Sequence, residues 1–135
     1  MISIPLHVVA DSANVSKEGK LNIFGIFQRI LASSFPATHP SLALVFTIEA
    51  DSGDTASEHA LMVDLVDSDG KRIANIDAKI KFAQVPGKKA NHNQIVLLNG
   101  LNFPKPGMYE FKIIINGEER AFVPLELSEI ETPKK

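Results

Sequence analysis

The carboxylates between positions 49 and 69 are the first residues of this 135-residue chain whose types could do chemistry: seven Asp or Glu, with no Lys or Arg among them. A hard cation such as calcium takes about 6–8 oxygens at roughly 2.3–2.6 Å. Asp51, Asp54 and Glu58 share one loop. Asp67 and Asp69 fall beyond a strand of roughly 25 Å, so the two groups cannot share one ion. Asp67-Ser68-Asp69-Gly70 also departs from the calcium-loop template, because Leu65 and Ile76 stand where its first and last ligands belong. The stretch reads as a solvated loop followed by a hairpin turn, with no metal site. Asp51, Asp54, Glu58 and His92 are the candidate residues for holding a small polar ligand or carbohydrate, through the end loops 51–58 and 86–93. Those loops are rich in Asn, Asp and Ser, which bind ligands and build ordinary turns equally well.

His7, His39, His59 and His92 lie in four segments, without the i, i+4 spacing or the alternating strand pair that a zinc site uses. His59 has inward parity in its strand, which fits a buried, hydrogen-bonded histidine. The chain has no cysteine, and this removes disulfides, thiolate ligands and cysteine nucleophiles together. No G-x-S-x-G elbow marks a serine nucleophile. Gly87-Lys88-Lys89 lacks the glycine spacing and the following Ser or Thr of a phosphate loop. The expectation is a protein that is not an enzyme and takes no cofactor.

Fourteen Lys and Arg against sixteen Asp and Glu give a net charge of -2 and no overall attraction to nucleic acid or anionic lipid. Positions 71–92 are locally basic, with six Lys or Arg against Asp77. That face lacks aromatic stacking residues and borders an acidic strand, so pairing within the chain accounts for the asymmetry. The first positive charge is Lys17, and the apolar start is broken by Pro5 and His7, unlike a secretory signal. No run reaches the ~18 apolar residues of a membrane span. The composition therefore predicts a cytoplasmic protein with no nucleic-acid or membrane partner. It has one domain over 1–128 and a charged, frayed tail over 129–135.

The elements that must carry these residues are strands. Ile2, Ile4, Leu6 and Val8 alternate with polar residues and Pro5, which lacks a donor and marks an edge. Leu42, Leu44, Phe46 and Ile48 give the cleanest alternation. Further strands are predicted at 20–31, 59–67, 72–82, 94–101, 108–115 and 119–127. A two-residue type I′ loop at Asp69-Gly70 sets Leu65 opposite Ala74, Val63 opposite Ile76 and Leu61 opposite Ala78. It also pairs Glu58 with Lys81 and Asp67 with Arg72. In the last hairpin, a three-residue loop 116–118 with a bulge brings Phe111 opposite Val123 and Ile113 opposite Ala121. Pro124 makes the final strand an edge or bulged one. Eight short strands predict an all-β, antiparallel immunoglobulin-like sandwich. Tyr109, following Pro106-Gly107, has the inward parity of the tyrosine that hydrogen-bonds backbone at a corner of such domains.

The segment 20–31 breaks the rule of one apolar face. Leu21, Ile23, Gly25 and Phe27 lie on one side, and Phe24, Ile26, Gln28 and Ile30 on the other. Two apolar faces mean that something covers the second. Either the 32–40 loop folds over it, led by Phe35, or Phe24, Ile26 and Phe27 form an interaction face for a protein partner or a second copy of the chain.

Three stretches, Ala10-Asp11-Ser12-Ala13-Asn14-Val15, Gly19-Lys20-Leu21-Asn22-Ile23-Phe24-Gly25-Ile26-Phe27 and Phe35-Pro36-Ala37-Thr38-His39-Pro40, carry a resemblance, as does Asn99-Gly100-Leu101-Asn102-Phe103-Pro104. Together they resemble a family of short bacterial single-domain β-sandwich proteins of uncharacterised function. The resemblance spans nearly the whole chain and implies no activity, ligand or catalytic residue. With no catalytic motif, the expected function is a non-enzymatic interaction or structural module, self-associating or bound to an unknown protein partner. The alternative is the loop-borne polar ligand.

Overall fold

A computed structural model describes residues 2–51, 58–82 and 88–130. The tail expected over 129–135 and the loop carboxylate Asp54 fall largely or wholly outside them. The described residues contain nine strands: β1 (Ile2–Val15), β2 (Leu21–Ile26), β3 (Arg29–Ala32), β4 (Ala37–Ala50), β5 (His59–Val66), β6 (Arg72–Ile80), β7 (Ala90–Phe103), β8 (Gly107–Ile115) and β9 (Glu118–Glu129). They form a four-stranded sheet, β2-β1-β4-β7, and a five-stranded sheet, β3-β9-β8-β5-β6. Every pairing is antiparallel except that of β3 with β9. Between the sheets lies one core, in which Leu44, Phe46, Ile48, Leu65, Phe103, Tyr109, Phe111, Ile113 and Leu125 are fully buried. This is an immunoglobulin-like β-sandwich.

The number of strands differs from the expected eight because 20–31 is not one strand. It splits into β2, which pairs with β1, and β3, which pairs with β9 in the opposite sheet. Gly25 takes φ +71° just before the crossover, a left-handed conformation that glycine adopts without steric cost. The crossover is tied to both sheets: the Phe27 amide donates to Val9 O at 3.0 Å, and the Glu126 amide to Gln28 O at 2.9 Å. β2 carries apolar residues on both sides, Leu21 and Ile23 on one and Phe24 and Ile26 on the other, while Ile30 belongs to β3 in the opposite sheet.

The first hairpin keeps the predicted register, with Leu65 opposite Ala74, Val63 opposite Ile76 and Leu61 opposite Ala78. Its turn differs. Asp67 Oδ1 accepts the amides of Asp69 and Lys71, each at 2.9 Å, and the Asp67 amide donates to Lys71 O. This Asx geometry favours a longer loop over the tight type I′ turn, with Gly70 at φ +83° completing it. The one-residue shift places Arg72 opposite Val66, and its guanidinium reaches Asp64 rather than Asp67, with Nε–Oδ1 at 3.2 Å. Glu58 pairs with Lys79 at 3.5 Å, not with Lys81.

In the last hairpin the register again holds, with Phe111 opposite Val123, Ile113 opposite Ala121 and Tyr109 opposite Leu125. The loop is the shorter one, Asn116-Gly117, both residues at positive φ as a type I′ turn requires. The extra residue is Arg120, bulged within the strand. Asn-Gly chemistry fixes the turn, and the bulge restores the inward parity of Ala121 and Val123. Pro124 sits in β9 between β3 and β8, but β3 covers only Glu126 to Glu129, so no strand needs the missing amide. Pro5 likewise lies on the stretch of β1 that has no neighbour beyond β4, beside a register shift.

Candidate functional site

Of the loop-borne candidates, Asp54 lies outside the described residues, and Asp51, Glu58 and His92 stand at three different places in the fold. His92 is paired with Ile48 on the inward side of the four-stranded sheet. Its ring meets Phe82 edge-on at 6.3 Å and its Nε2 lies 2.8 Å from Gln94 Oε1. Asp51 is exposed just past the end of β4, and Glu58 precedes β5 in the other sheet, engaged with Lys79. Among the described residues, no three His, Asp or Glu group to hold a metal. His59 is buried, as its parity predicts. Its Nδ1 accepts Asn116 Nδ2–H at 2.9 Å, while Asn116 Oδ1 accepts the Ala60 amide, so this histidine serves the hairpin end.

The residues of the crossover segment part company. Phe27 is half-buried, packs against the core and meets the His39 ring at 5.9 Å. Phe35 also packs on the core. The 32–40 stretch therefore covers Phe27, and Phe27 drops out of the predicted interaction face. Phe24 and Ile26 remain 52% and 56% exposed.

Strand register shows what Phe24 and Ile26 belong to. Ile26 is opposite Ala10, Ala10 opposite Ala43, and Ala43 opposite Leu97, a row across all four strands of the outer face. The next row is Val8, Val45 and Ile95, and the one after it Leu6, Thr47 and Asn93. Phe24 with Ser12, and Ser41 with Asn99, flank the first row. No residue of these rows is charged; the first charge is Glu49, one row further. Ala10, Ala43 and Val45 are inaccessible to solvent yet are not part of the inter-sheet core, while Leu97 at the far edge is 63% exposed. A solvated sheet face carries polar side chains at such positions.

The sequence carried a signal for this face that the alternation at 42–48 obscured. Ala43 and Val45 are apolar at the outward parity, and Leu97 and Leu98 are apolar at both. A strand that is apolar at both parities is covered on both sides. Near the crossover, a depression of about 520 Å³ is lined by Ile26, Phe27, Gln28, Arg29, Met108, Pro124 and Glu126, with Arg29 and Glu126 paired across it.

The corner expected at Tyr109 is formed. The buried hydroxyl donates to Lys105 O at 2.6 Å, and the ring packs edge-on against Phe103 at 5.0 Å. Two sheets and this corner define an immunoglobulin-like module. Residues 5–128 match the model of DUF6941, a family of unknown function, and the chain belongs to that family. No curated protein matches the chain by sequence. In structure it is similar to part of the Pseudomonas fluorescens alkylpurine DNA glycosylase AlkC bound to DNA containing an abasic site analog. That match has 15% identity and a TM-score of 0.54, over 94% of this chain but only 30% of the glycosylase. It is also similar to an immunoglobulin-like protein from Pseudomonas aeruginosa, at 13% identity and TM-score 0.43 over 94% and 96% of the two chains. At these identities the likeness concerns the fold alone.

Proposed function

We propose that the chain is a non-enzymatic interaction module that docks a protein partner through the outer face of its four-stranded sheet. The observation that carries this reading is that Phe24, Ile26 and Leu97 are exposed on the outer face of one sheet, in rows that hold no charged side chain. Interface centres are depleted in charge and rich in large apolar side chains, and contiguous apolar surface of this kind marks protein contact sites. Leaving the exposed half of Phe24, Ile26 and Leu97 in water forgoes roughly 1–1.5 kcal/mol of burial for each. The test is photo-crosslinking in native lysate from a probe at Leu97, against a probe at Asn75 on the other sheet. Adducts from position 97 alone, removed by Ile26→Asp, are the expected result. Equal labelling from both positions, or none from 97, overturns the reading.

A further inference from the structure

Going beyond that reading and independently of it, we propose that the free edge of β7 pairs with a second copy of the chain, the two β7 strands lying antiparallel about a two-fold axis at Val96. An edge strand offers unpaired N–H and C=O groups to any other strand, and natural edges are blunted by short length, bends or charge. Three of the four edges here are blunted. β2 has six residues and ends at the bend of Gly25, and β3 has four. β6 carries Arg72, Asp77 and Lys79. β7 is the exception, with fourteen residues and no Lys, Arg, Asp, Glu or Pro. It is bonded to β4 on one side and to no strand of the described residues on the other.

Register is what selects a second copy. A two-fold axis normal to the sheet leaves each side chain on its own face, so paired positions share parity and one residue opposes itself. With Val96 on the axis, Ile95 meets Leu97 and Asn93 meets Asn99. The outward series Asn93, Ile95, Leu97, Asn99 thus reads amide, aliphatic, aliphatic, amide in both directions. Apolar side chains meet at the centre and amides meet at each end, the like-with-like pairing that stabilises adjacent strands. Moving the axis by one residue breaks the match. About Ile95, Leu97 falls opposite Asn93; about Leu97, Ile95 falls opposite Asn99. A foreign strand would have to bring this order with it, whereas a second copy carries it already, as an isologous contact requires.

The strand itself sets the limits of the contact. Gly100 takes φ +66° and turns the chain just past Asn99, and the axis places it opposite His92 at the other end. The paired stretch is therefore 93–99. Antiparallel pairing over that stretch forms about six to eight hydrogen bonds between the copies. Leu97, 63% exposed at this edge, gains the partner's Ile95 as its cross-strand neighbour. The two four-stranded sheets become one sheet of eight strands, with the outer faces of both copies on the same side.

Wild type and the double variant Leu97→Lys with Asn99→Lys, both substitutions at exposed positions, are sedimented from nanomolar to near-millimolar concentration, with circular dichroism as the check on folding. The chain contains no cysteine, so introduced thiols report without background. Asn93→Cys and Asn99→Cys proteins are mixed under mild oxidation, and each is also oxidised alone. In the proposed register, position 93 of one copy opposes position 99 of the other, while the two copies of position 99 lie roughly 20 Å apart. The expected result is a concentration-dependent wild-type dimer, weakened at least tenfold by the lysines, and a 93–99 disulfide formed well ahead of 93–93 or 99–99. A wild type that stays monomeric throughout overturns the edge pairing. So does a dimer indifferent to the lysines, or a 99–99 disulfide as fast as the mixed one, because either puts the contact elsewhere. Crosslinks from position 97 to another protein that vanish in Ile26→Asp, three strands away, report on the outer face alone, so the two readings fail separately.

Discussion

The Tyr109 hydroxyl and the Lys105 carbonyl, four residues apart and joined by a 2.6 Å hydrogen bond, pin the approach to β8 against the body of the sandwich. The ring is almost wholly buried and its far end is the only part needing a polar partner. Tyr109→Phe keeps the packing on Phe103 and removes the bond to Lys105 O, together with the longer one, 3.4 Å, that the hydroxyl accepts from the Lys105 amide. The expected loss is about 1 kcal/mol in urea denaturation. A stability equal to that of the wild type would show that the bond contributes nothing to holding the corner.

Gly25 stands opposite Asp11 in the β1–β2 ladder at φ +71°, and an added Cβ would meet the Asp11 carboxylate, with its Cγ at 3.0 Å. Gly25→Ala therefore suffers twice, from the left-handed backbone and from the contact. We expect a cost of about 1–2 kcal/mol from the backbone alone. Adding Asp11→Ala should recover only the steric part. Full recovery in the double variant would mean that the backbone conformation at Gly25 carries no strain for alanine.

Asn116 does three things at the end of the last hairpin. It adopts φ +53°, donates from Nδ2 to His59 Nδ1, and accepts the Ala60 amide at Oδ1. Asn116→Ala loses two hydrogen bonds, at about 1 kcal/mol each, and adds the left-handed cost of a residue with a Cβ and no polar side chain. The melting temperature should fall by several degrees, and by more than in Glu118→Ala at the adjoining exposed position. Similar melting temperatures for the two variants would contradict the pinning of β5 by this side chain.

Lys105 also meets Asp69 at 3.0 Å, joining the corner to the first hairpin. The hydrogen bond and charge of Asp69 raise the Lys105 pKa above its ordinary 10.5. A raised folded-state value means that the pair's contribution is complete below the ordinary lysine pKa and disappears as pH climbs through the raised one. Any stability difference between wild type and Lys105→Met should therefore be flat from neutral to mildly alkaline pH and close above about pH 10.5. Because both groups are solvent-exposed, added salt should shrink it as well. A difference that widens with alkalinity would rule out the ion pair as its source.

Much of this architecture is legible in the sequence because turn chemistry and alternation act locally. Asp67 and Gly70 fix one hairpin, Asn116 and Gly117 the other, and the apolar residues at 61, 63 and 65 or 111, 113 and 125 can face the core in one register only. What the sequence conceals is the exchange between sheets at 27–28. Phe24, Ile26, Phe27 and Ile30 are apolar whether or not the chain changes sheet, and strand follows strand, so periodicity carries no mark of the crossover. Gly25 is its one local sign. The outer face is concealed for a related reason: Ala43 and Val45 suit a pleated surface on either side. Their place beside Ile26 and Leu97 on one face depends on β1, β2 and β7, which are far apart in the chain.

The parallel seam between β3 and β9 joins Arg29 to Glu126, residues 97 positions apart. Closing so long a loop forfeits more chain entropy than either hairpin, whose contacts form between near neighbours. The seam is only four residues long and lies at a sheet edge. It is accordingly the last part of the molecule to assemble and the first to open. Amides at Ile30 and Ala32 should exchange with solvent through partial opening, well before those of β5 and β8 at the centre of the same sheet. Because the seam closes after the rest of the sheet, substitutions that weaken it should act chiefly on the unfolding rate and leave the folding rate little changed.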